Sequence, residues 1–123
     1  MATVFELEYV GICKAPIGRN YGGRIDPQFP VGTRFPLVVG QRTVLGKAKD
    51  CAIFVDSMIV QRHHVAVTLE VTGGNAVLEV ENLGGGSHVF ADGAYFDDRV
   101  KLSPGRRFEL GGVLMFEFRR SAS

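Results

Sequence analysis

Histidine, cysteine and serine residues, which could act in catalysis or bind a metal, are few in this sequence. His63 and His64 are adjacent, so on a strand they would point to opposite faces and could not chelate one metal together. Cys13 and Cys51 have no metal-ligand spacing and are too few for a disulfide framework, so we interpret them as reduced residues in or near the core. No nucleophile elbow surrounds Ser57, Ser87 or Ser103. These patterns predict a protein that is not an enzyme and that binds no metal or cofactor.

The segment from Ile12 to Thr33 is rich in proline, glycine and basic residues. Three prolines and four glycines exclude a regular strand, and a loop this long within a compact domain is uncommon and often functional. The run from Gly18 to Gly23 lacks the lysine-serine ending of a phosphate-binding loop. The cationic side chains of the whole segment 12–33 are Lys14, Arg19 and Arg24. We expect either a mobile surface insertion or a basic arm that contacts a partner or folds over the binding face.

Alternation of apolar and polar residues predicts that β-strands position these side chains. From Val65 to Val71 the large apolar residues occupy every second position, Gly73-Gly74 supplies a turn, and the alternation resumes, so we expect a hairpin over 65–81. Further strands are expected at 5–9, 35–39, 43–46, 53–55, 107–110 and 114–118, with turns at Asp92-Gly93 and Pro104-Gly105. No stretch keeps a helical period for three turns. The pattern favours an all-β, two-sheet antiparallel β-sandwich with a long N-terminal loop insertion at 12–33.

Length and charge are those of one ordinary globular domain. The 123 residues can bury a core without disulfides, and we expect a single domain over 1–120 with a tail at 121–123. A formal net charge of +1 gives no overall attraction to nucleic acid or to a membrane. No apolar run approaches the roughly 18 residues that span a bilayer, and no secretory signal is visible. We therefore expect an intracellular protein, cytoplasmic or nuclear, and interpret the chain as a fragment of a larger protein.

Four segments resemble, in order and at the expected spacing, the motifs of the forkhead-associated (FHA) domain family. Thr43–Lys47 is similar to the strand that ends in Gly-Arg, and Ile53–His64 to the short strand, loop and Ser-Arg-x-His that follow it. Asn82–Gly93 is similar to the family's Asp-Leu-x-Ser-Thr-Asn-Gly loop and the strand after it, and Leu102–Gly111 to its closing strand. The resemblance covers residues 35–119 and implies the FHA sandwich.

The resemblance also implies a site for phosphothreonine in the loops at one end of the sandwich. Lys47 stands where the family has arginine, and Gln61 where a serine donates to the phosphate. Gly86 stands where threonine is usual, and Ser87 where asparagine holds the ligand backbone. If the alignment slips by one residue, Ser87 takes the threonine's role and His88 that of the asparagine. The ligand positions are thus less well preserved than the fold motifs.

Five other residues are assigned by the same resemblance. Arg62 falls on the family's arginine and joins the predicted phosphate site. Gly46, His64, Asp92 and Gly93 are expected to be structural at the site, with His64 fixing the binding loop through a hydrogen bond.

The family implies a non-catalytic protein-interaction module that binds a phosphothreonine-containing or other partner peptide. Two alternatives remain open. In one, the chain is a pseudo-FHA scaffold that binds a protein partner independently of phosphate. In the other, the basic 12–33 loop and Arg119-Arg120 contact nucleic acid, which is the less favoured partner. No membrane partner is expected.

Overall fold

The computed structural model of the chain describes residues 4–12, 26–83 and 89–121. Over these ranges the chain forms eleven strands: β1 (Val4–Ile12), β2 (Arg34–Leu37), β3 (Arg42–Gly46), β4 (Ile53–Phe54), β5 (Val65–Thr72), β6 (Asn75–Asn82), β7 (Val89–Ala91), β8 (Ala94–Tyr95), β9 (Arg99–Leu102), β10 (Arg107–Leu110) and β11 (Leu114–Ser121). No described residue belongs to a helix that could span a membrane.

The strands form two sheets that enclose the core. One sheet has the order β2-β1-β11-β10-β7-β8 and the other the order β4-β3-β5-β6-β9. The pairing of β3 with β4 is parallel, and the other strand pairs are antiparallel. The predicted all-β two-sheet sandwich is confirmed.

The predicted hairpin at 65–81 is present as β5 and β6. The pairing runs without a break from Val65 opposite Asn82 to Thr72 opposite Asn75. Gly73 and Gly74 have φ angles of 57° and 85°, values that glycine adopts without the steric cost of a Cβ atom. Two positive φ angles in a two-residue loop match the twist of the strands, which explains why this turn fixes the register.

Three short strands were not predicted from the alternation, although the family resemblance implied a strand between Asn82 and Gly93. They are β7, β8 and β9, of three, two and four residues. β8 has only two residues and both are exposed, so it offers no alternation of apolar and polar side chains to recognise. The turn predicted at Asp92-Gly93 does join β7 to β8, and both of its residues have positive φ.

The core lies between the sheets and is rich in aromatic rings. Phe108 and Phe116, from adjacent strands, are fully buried and stack with their ring centroids 5.6 Å apart. The facing sheet contributes aliphatic side chains that are equally buried: Leu45, Val65, Val67, Leu78 and Val80. Leu78 and Val80 alternate along β6 with half-buried residues, as a half-buried sheet requires.

Residues 26–33, the described end of the predicted loop, pack against the sandwich. The Phe29 ring lies 5.3 Å from that of Tyr9 and 5.1 Å from that of Phe35, centroid to centroid. The Gln28 amide donates from Nε2 to the carbonyl oxygen of Phe54 (2.7 Å) and accepts through Oε1 from the backbone N–H of Asp56 (2.9 Å). These residues form bends and turns. The remainder of the loop, with Lys14, Arg19 and Arg24, lies outside the described residues.

Candidate functional site

A close backbone contact joins the end of β3 to the loop before β5. A Cβ atom on Gly46 would lie 2.1 Å from the carbonyl oxygen of Arg62, so only glycine fits there. The contact is continued by two hydrogen bonds, from the backbone N–H of Lys47 to the carbonyl oxygen of Gln61 (2.8 Å) and from that of Ala48 to the carbonyl oxygen of Arg62 (3.0 Å). The structure therefore brings together Lys47, Gln61 and Arg62, three of the sequence-predicted ligand residues.

His64 is buried at the base of this contact. Its side chain and backbone make hydrogen bonds in three directions. The Nδ1 atom accepts from the backbone N–H of Gln61 (3.1 Å), so in the neutral ring the proton is on Nε2. Its backbone N–H donates to Leu45 on β3 (2.9 Å), and its carbonyl oxygen accepts from Leu83 (3.0 Å). His64 thus connects the turn at 61–64 to β3 and to the end of β6.

Six arginines of the sandwich pair with carboxylates, whereas the exposed Lys101 and Arg120, like Lys47 and Arg62, make no such ion pair among the described residues. Ion pairs with carboxylates are made by Arg34, Arg42, Arg99, Arg106, Arg107 and Arg119. Lys47 and Arg62 are exposed, and neither has a carboxylate partner among the residues that the structure describes. Their charges are therefore available to an anion from solution.

The remaining predicted ligand residues, Gly86, Ser87 and His88, lie outside the described ranges. The residues on either side of them are placed: Leu83 contacts His64, and Val89 is buried and pairs with Leu110.

Asp92 and Gly93 lie at the opposite end of β7. The Asp92 carboxylate accepts a long hydrogen bond from the backbone N–H of Arg107 (3.4 Å) and pairs with the Arg106 side chain (3.6 Å). Because β7 and β10 are antiparallel, this places the turn beside the start of β10. It is the other end of β10, at Gly111, that approaches Ile59 in the loop before β5. The structure thus does not bring Asp92 and Gly93 to the loops that carry Lys47 and Arg62.

Reasoning from the sequence missed a group of three side chains on the same loops. The His63 Nε2 atom lies 3.2 Å from Oδ1 of Asp50, and the buried Sγ atom of Cys51 donates to the carbonyl oxygen of Arg62 at 3.2 Å. Burial raises the pKa of the Cys51 thiol, and the negative charge of Asp50 adds to the increase. Asp50 and Cys51 are twelve or more residues from His63 in sequence, so no local motif could have indicated the group.

Solved structures of FHA domains have the same fold as this chain. The FHA domain of the CT664 protein from Chlamydia trachomatis has a TM-score of 0.68 at 19% identity, with 97% of this chain and 99% of that one covered. The MEK1 FHA domain in complex with a phosphothreonine peptide of HOP1 has a TM-score of 0.62 at 14% identity, over 73% and 90% of the two chains. Mycobacterium tuberculosis EmbR, in complex with a low-affinity phosphopeptide, has a TM-score of 0.65 at 24% identity, over 98% of this chain and 25% of EmbR. At identities this low, the likeness establishes the fold alone.

The sequence itself gives the family. No curated protein matches the chain. The family model described as FHA domain matches residues 43–111, which is more than half of the 123 residues. The match includes Gly46, His64 and the loops between them, whose contacts are described above. The chain therefore belongs to the FHA domain family.

Proposed function

We propose that this chain is a phosphopeptide-binding interaction module that recognises phosphothreonine through the loops at one end of the sandwich. The observation that carries the proposal is the pair of exposed cations, Lys47 and Arg62, on loops that the Gly46–Arg62 backbone contact holds together. Fixed loops reduce the ordering cost of binding, and unpaired cations need not break an ion pair to accept a phosphate.

A phosphate dianion requires several donors that converge on its three oxygens. Lys47 supplies a point charge, Arg62 a planar group that can donate to two oxygens at once, and the exposed Gln61 an amide N–H. Ser87 and His88 are the further donors that we assign to the site, and the backbone of Gly86 could contribute an N–H. Each hydrogen bond to the charged phosphate contributes about 1.5–3 kcal/mol, so three or four of them suffice for a specific complex.

Two of the structural relatives support this assignment by what they contain. The MEK1 FHA domain was solved with a phosphothreonine peptide and EmbR with a phosphopeptide. The substitution of serine by Gln61 and of threonine by Gly86 favours the alternative of a scaffold that binds its partner independently of phosphate. We further propose that the chain acts by binding and not by catalysis.

The test is a titration of the chain with a degenerate phosphothreonine peptide library and with its unphosphorylated counterpart at physiological salt. We expect binding that depends on the phosphate. Lys47→Ala should weaken it by about 10-fold or more, the equivalent of one charged hydrogen bond. Lys101→Ala, an exposed lysine on β9, is the matched control and should bind like the unaltered chain.

Equal affinity for both libraries would contradict phosphate recognition and favour the phosphate-independent scaffold. Equal losses from Lys47→Ala and Lys101→Ala would show that only the overall charge matters, and would remove Lys47 from the site. A steep loss of binding with added salt and no preference for phosphothreonine would instead point to nucleic acid.

A further inference from the structure

Asp50, Cys51 and His63 bring three different metal-ligating groups to one place. A carboxylate oxygen, the Sγ atom and a ring nitrogen of these residues lie within 4.8 Å of one another. Asp50 and Cys51 follow β3, whereas His63 precedes β5, so the donors come from two loops. The backbone hydrogen bonds from Lys47 and Ala48 already hold these two loops together.

The spacing suits a small tetrahedral ion. Zinc lies about 2.0–2.3 Å from nitrogen, oxygen and sulfur ligands, which places neighbouring tetrahedral ligands about 3.3–3.8 Å apart. The distance from Asp50 Oδ1 to His63 Nε2, 3.2 Å, is close to that range. The three donors lie within 4.8 Å of one another, which is wider than the tetrahedral spacing. The side chains of Asp50 and His63 are 74% and 46% exposed, so both can rotate to bring their donors closer to the Cys51 sulfur.

The types of donor select the metal. A cysteine sulfur does not suit Mg²⁺ or Ca²⁺, which take oxygen ligands, whereas sulfur with imidazole and carboxylate suits Zn²⁺. Three protein ligands leave one of four positions for water or for another oxygen ligand. Arg62 borders the group through its carbonyl oxygen, which accepts the hydrogen bond of the Cys51 thiol.

We propose that Asp50, Cys51 and His63 form a zinc site that joins the loop of residues 47–52 to the loop of residues 61–64. Binding replaces the thiol proton of Cys51, which passes to solvent: one thiol and one Zn²⁺ give one zinc–thiolate bond and one H⁺. The hydrogen bond from Sγ to Arg62 is lost in the exchange. His63 binds as the neutral imidazole through Nε2, so the proton that Nε2 shares with the Asp50 carboxylate in the metal-free chain moves to Nδ1, and bonds from both side chains to the metal replace that contact.

Bound zinc also fixes the two loops that carry Lys47 and Arg62, and this second part of the inference rests on the proposed function. A phosphopeptide that binds to already fixed loops has less ordering to complete, so zinc should increase its affinity.

The experiment uses Co²⁺ as a spectroscopic substitute for Zn²⁺, added to the full chain after metal removal and under reducing conditions. We expect saturable sulfur-to-cobalt charge transfer and tetrahedral ligand-field bands at one equivalent, both displaced by Zn²⁺. Cys51→Ser should abolish the charge transfer. Asp50→Asn and His63→Gln change exposed side chains and should fold, yet weaken Co²⁺ binding by at least about tenfold, the loss typical even of an outer partner of a ligand.

Two matched controls should bind Co²⁺ like the unaltered chain: Cys13→Ser, which changes the other cysteine of the sequence, and Asp97→Asn, which changes an exposed aspartate in the loop before β9. Zn²⁺ should also raise the Tm of the unaltered chain, because a ligand of the folded state stabilises it, and should do so less in Asp50→Asn. Charge transfer that survives Cys51→Ser, or Asp50→Asn and His63→Gln chains with unaltered Co²⁺ affinity, would overturn the zinc site.

The outcomes for the two proposals are separable. If the chain binds Co²⁺ tightly but does not bind phosphothreonine peptides, the proposed function is contradicted. The zinc site is then still supported. Phosphopeptide affinity that is the same with and without Zn²⁺ would overturn the coupling between the sites.

Discussion

The carbonyl oxygen of Arg62 lies 2.1 Å from the position that a Cβ atom on Gly46 would occupy. This contact fixes where the end of β3 meets the loop before β5. Through Lys47, which follows Gly46, and through Arg62 itself, it also fixes the relative position of the backbone segments that carry the two cations of the proposed phosphate site.

Gly46→Ala should therefore destabilise the fold. The added methyl group meets backbone atoms on both Arg62 and His63, which can move only if the hydrogen bonds of Lys47 and Ala48 lengthen. We expect a loss of at least about 2–3 kcal/mol in the free energy of unfolding, measured by denaturant titration. Gly73→Ala is the control: open space surrounds that position, so the cost is only that of a left-handed φ, about 1–2 kcal/mol. Equal losses of unfolding free energy in the two variants would mean that the loop before β5 moves to accommodate the methyl group at little cost.

His64→Ala removes a buried acceptor and leaves the Gln61 N–H without its hydrogen-bond partner. This hydrogen bond is partly buried, so its loss should cost about 1 kcal/mol, and the lost volume of the buried ring adds to that cost. The amide of Gln61 should also exchange its hydrogen faster. His63→Ala, measured in the presence of a metal chelator, is the control, and as a surface change should alter stability by no more than about 0.5 kcal/mol. If both variants were as stable as the unaltered chain, His64 would not be a structural residue of the loop.

Restoring the family's residues tests whether the scaffold is competent for phosphate. Gln61→Ser together with Gly86→Thr supplies two short hydroxyl donors of the kind that a phosphothreonine site uses. We expect affinity for phosphothreonine peptides to rise several-fold, with no change for unphosphorylated ones, measured by fluorescence anisotropy. The control is Gln41→Ser, a change at an exposed position outside the loops of the proposed phosphate site. An unaltered preference would indicate that the loops do not present these positions to a phosphate.

Tyr9 gives the fold a dependence on alkaline pH. Burial raises its pKa above the usual 10.0, and the charge of Asp26 adds to the increase. The folded state thus holds the phenol proton more tightly than the unfolded state does. This stabilisation is complete below the unfolded pKa and is lost as the pH rises through the higher folded pKa. Denaturant titrations across that interval should show a decline in stability that is smaller in Tyr9→Phe. Tyr95→Phe, at an exposed site, should keep the full decline; a decline equal in all three chains would contradict the role of Tyr9.

The sequence predicted those parts of the fold in which a local pattern is long enough to repeat. The hairpin of β5 and β6 alternates over eight residues on each strand, whereas β8 has two residues and no pattern to recognise. The packing of residues 26–33 could not be anticipated, because Phe29 finds its aromatic neighbours only after β1 and β2 have paired.

The candidate site, too, was predicted only in part from the sequence. Lys47, Gln61 and Arg62 were found because the family's motifs run in a fixed order along the chain. The group of Asp50, Cys51 and His63 was missed, and the sequence predicted no metal site. Its members belong to two segments whose approach depends on the Gly46 contact, and motif spacing carries no information about such an approach.

The Gln28 side chain has a consequence for how this domain behaves at high concentration. β4 is the outermost strand of its sheet, and the N–H of Val55 points inwards to Gly46, so the carbonyl of Phe54 and the N–H of Asp56 point outwards. The amide of Gln28 occupies both of these outward groups, as the backbone of an added strand would. At this edge of the sheet a single side chain thus occupies the groups that a strand of another molecule would use, and we expect it to disfavour edge-to-edge association there without an extra strand.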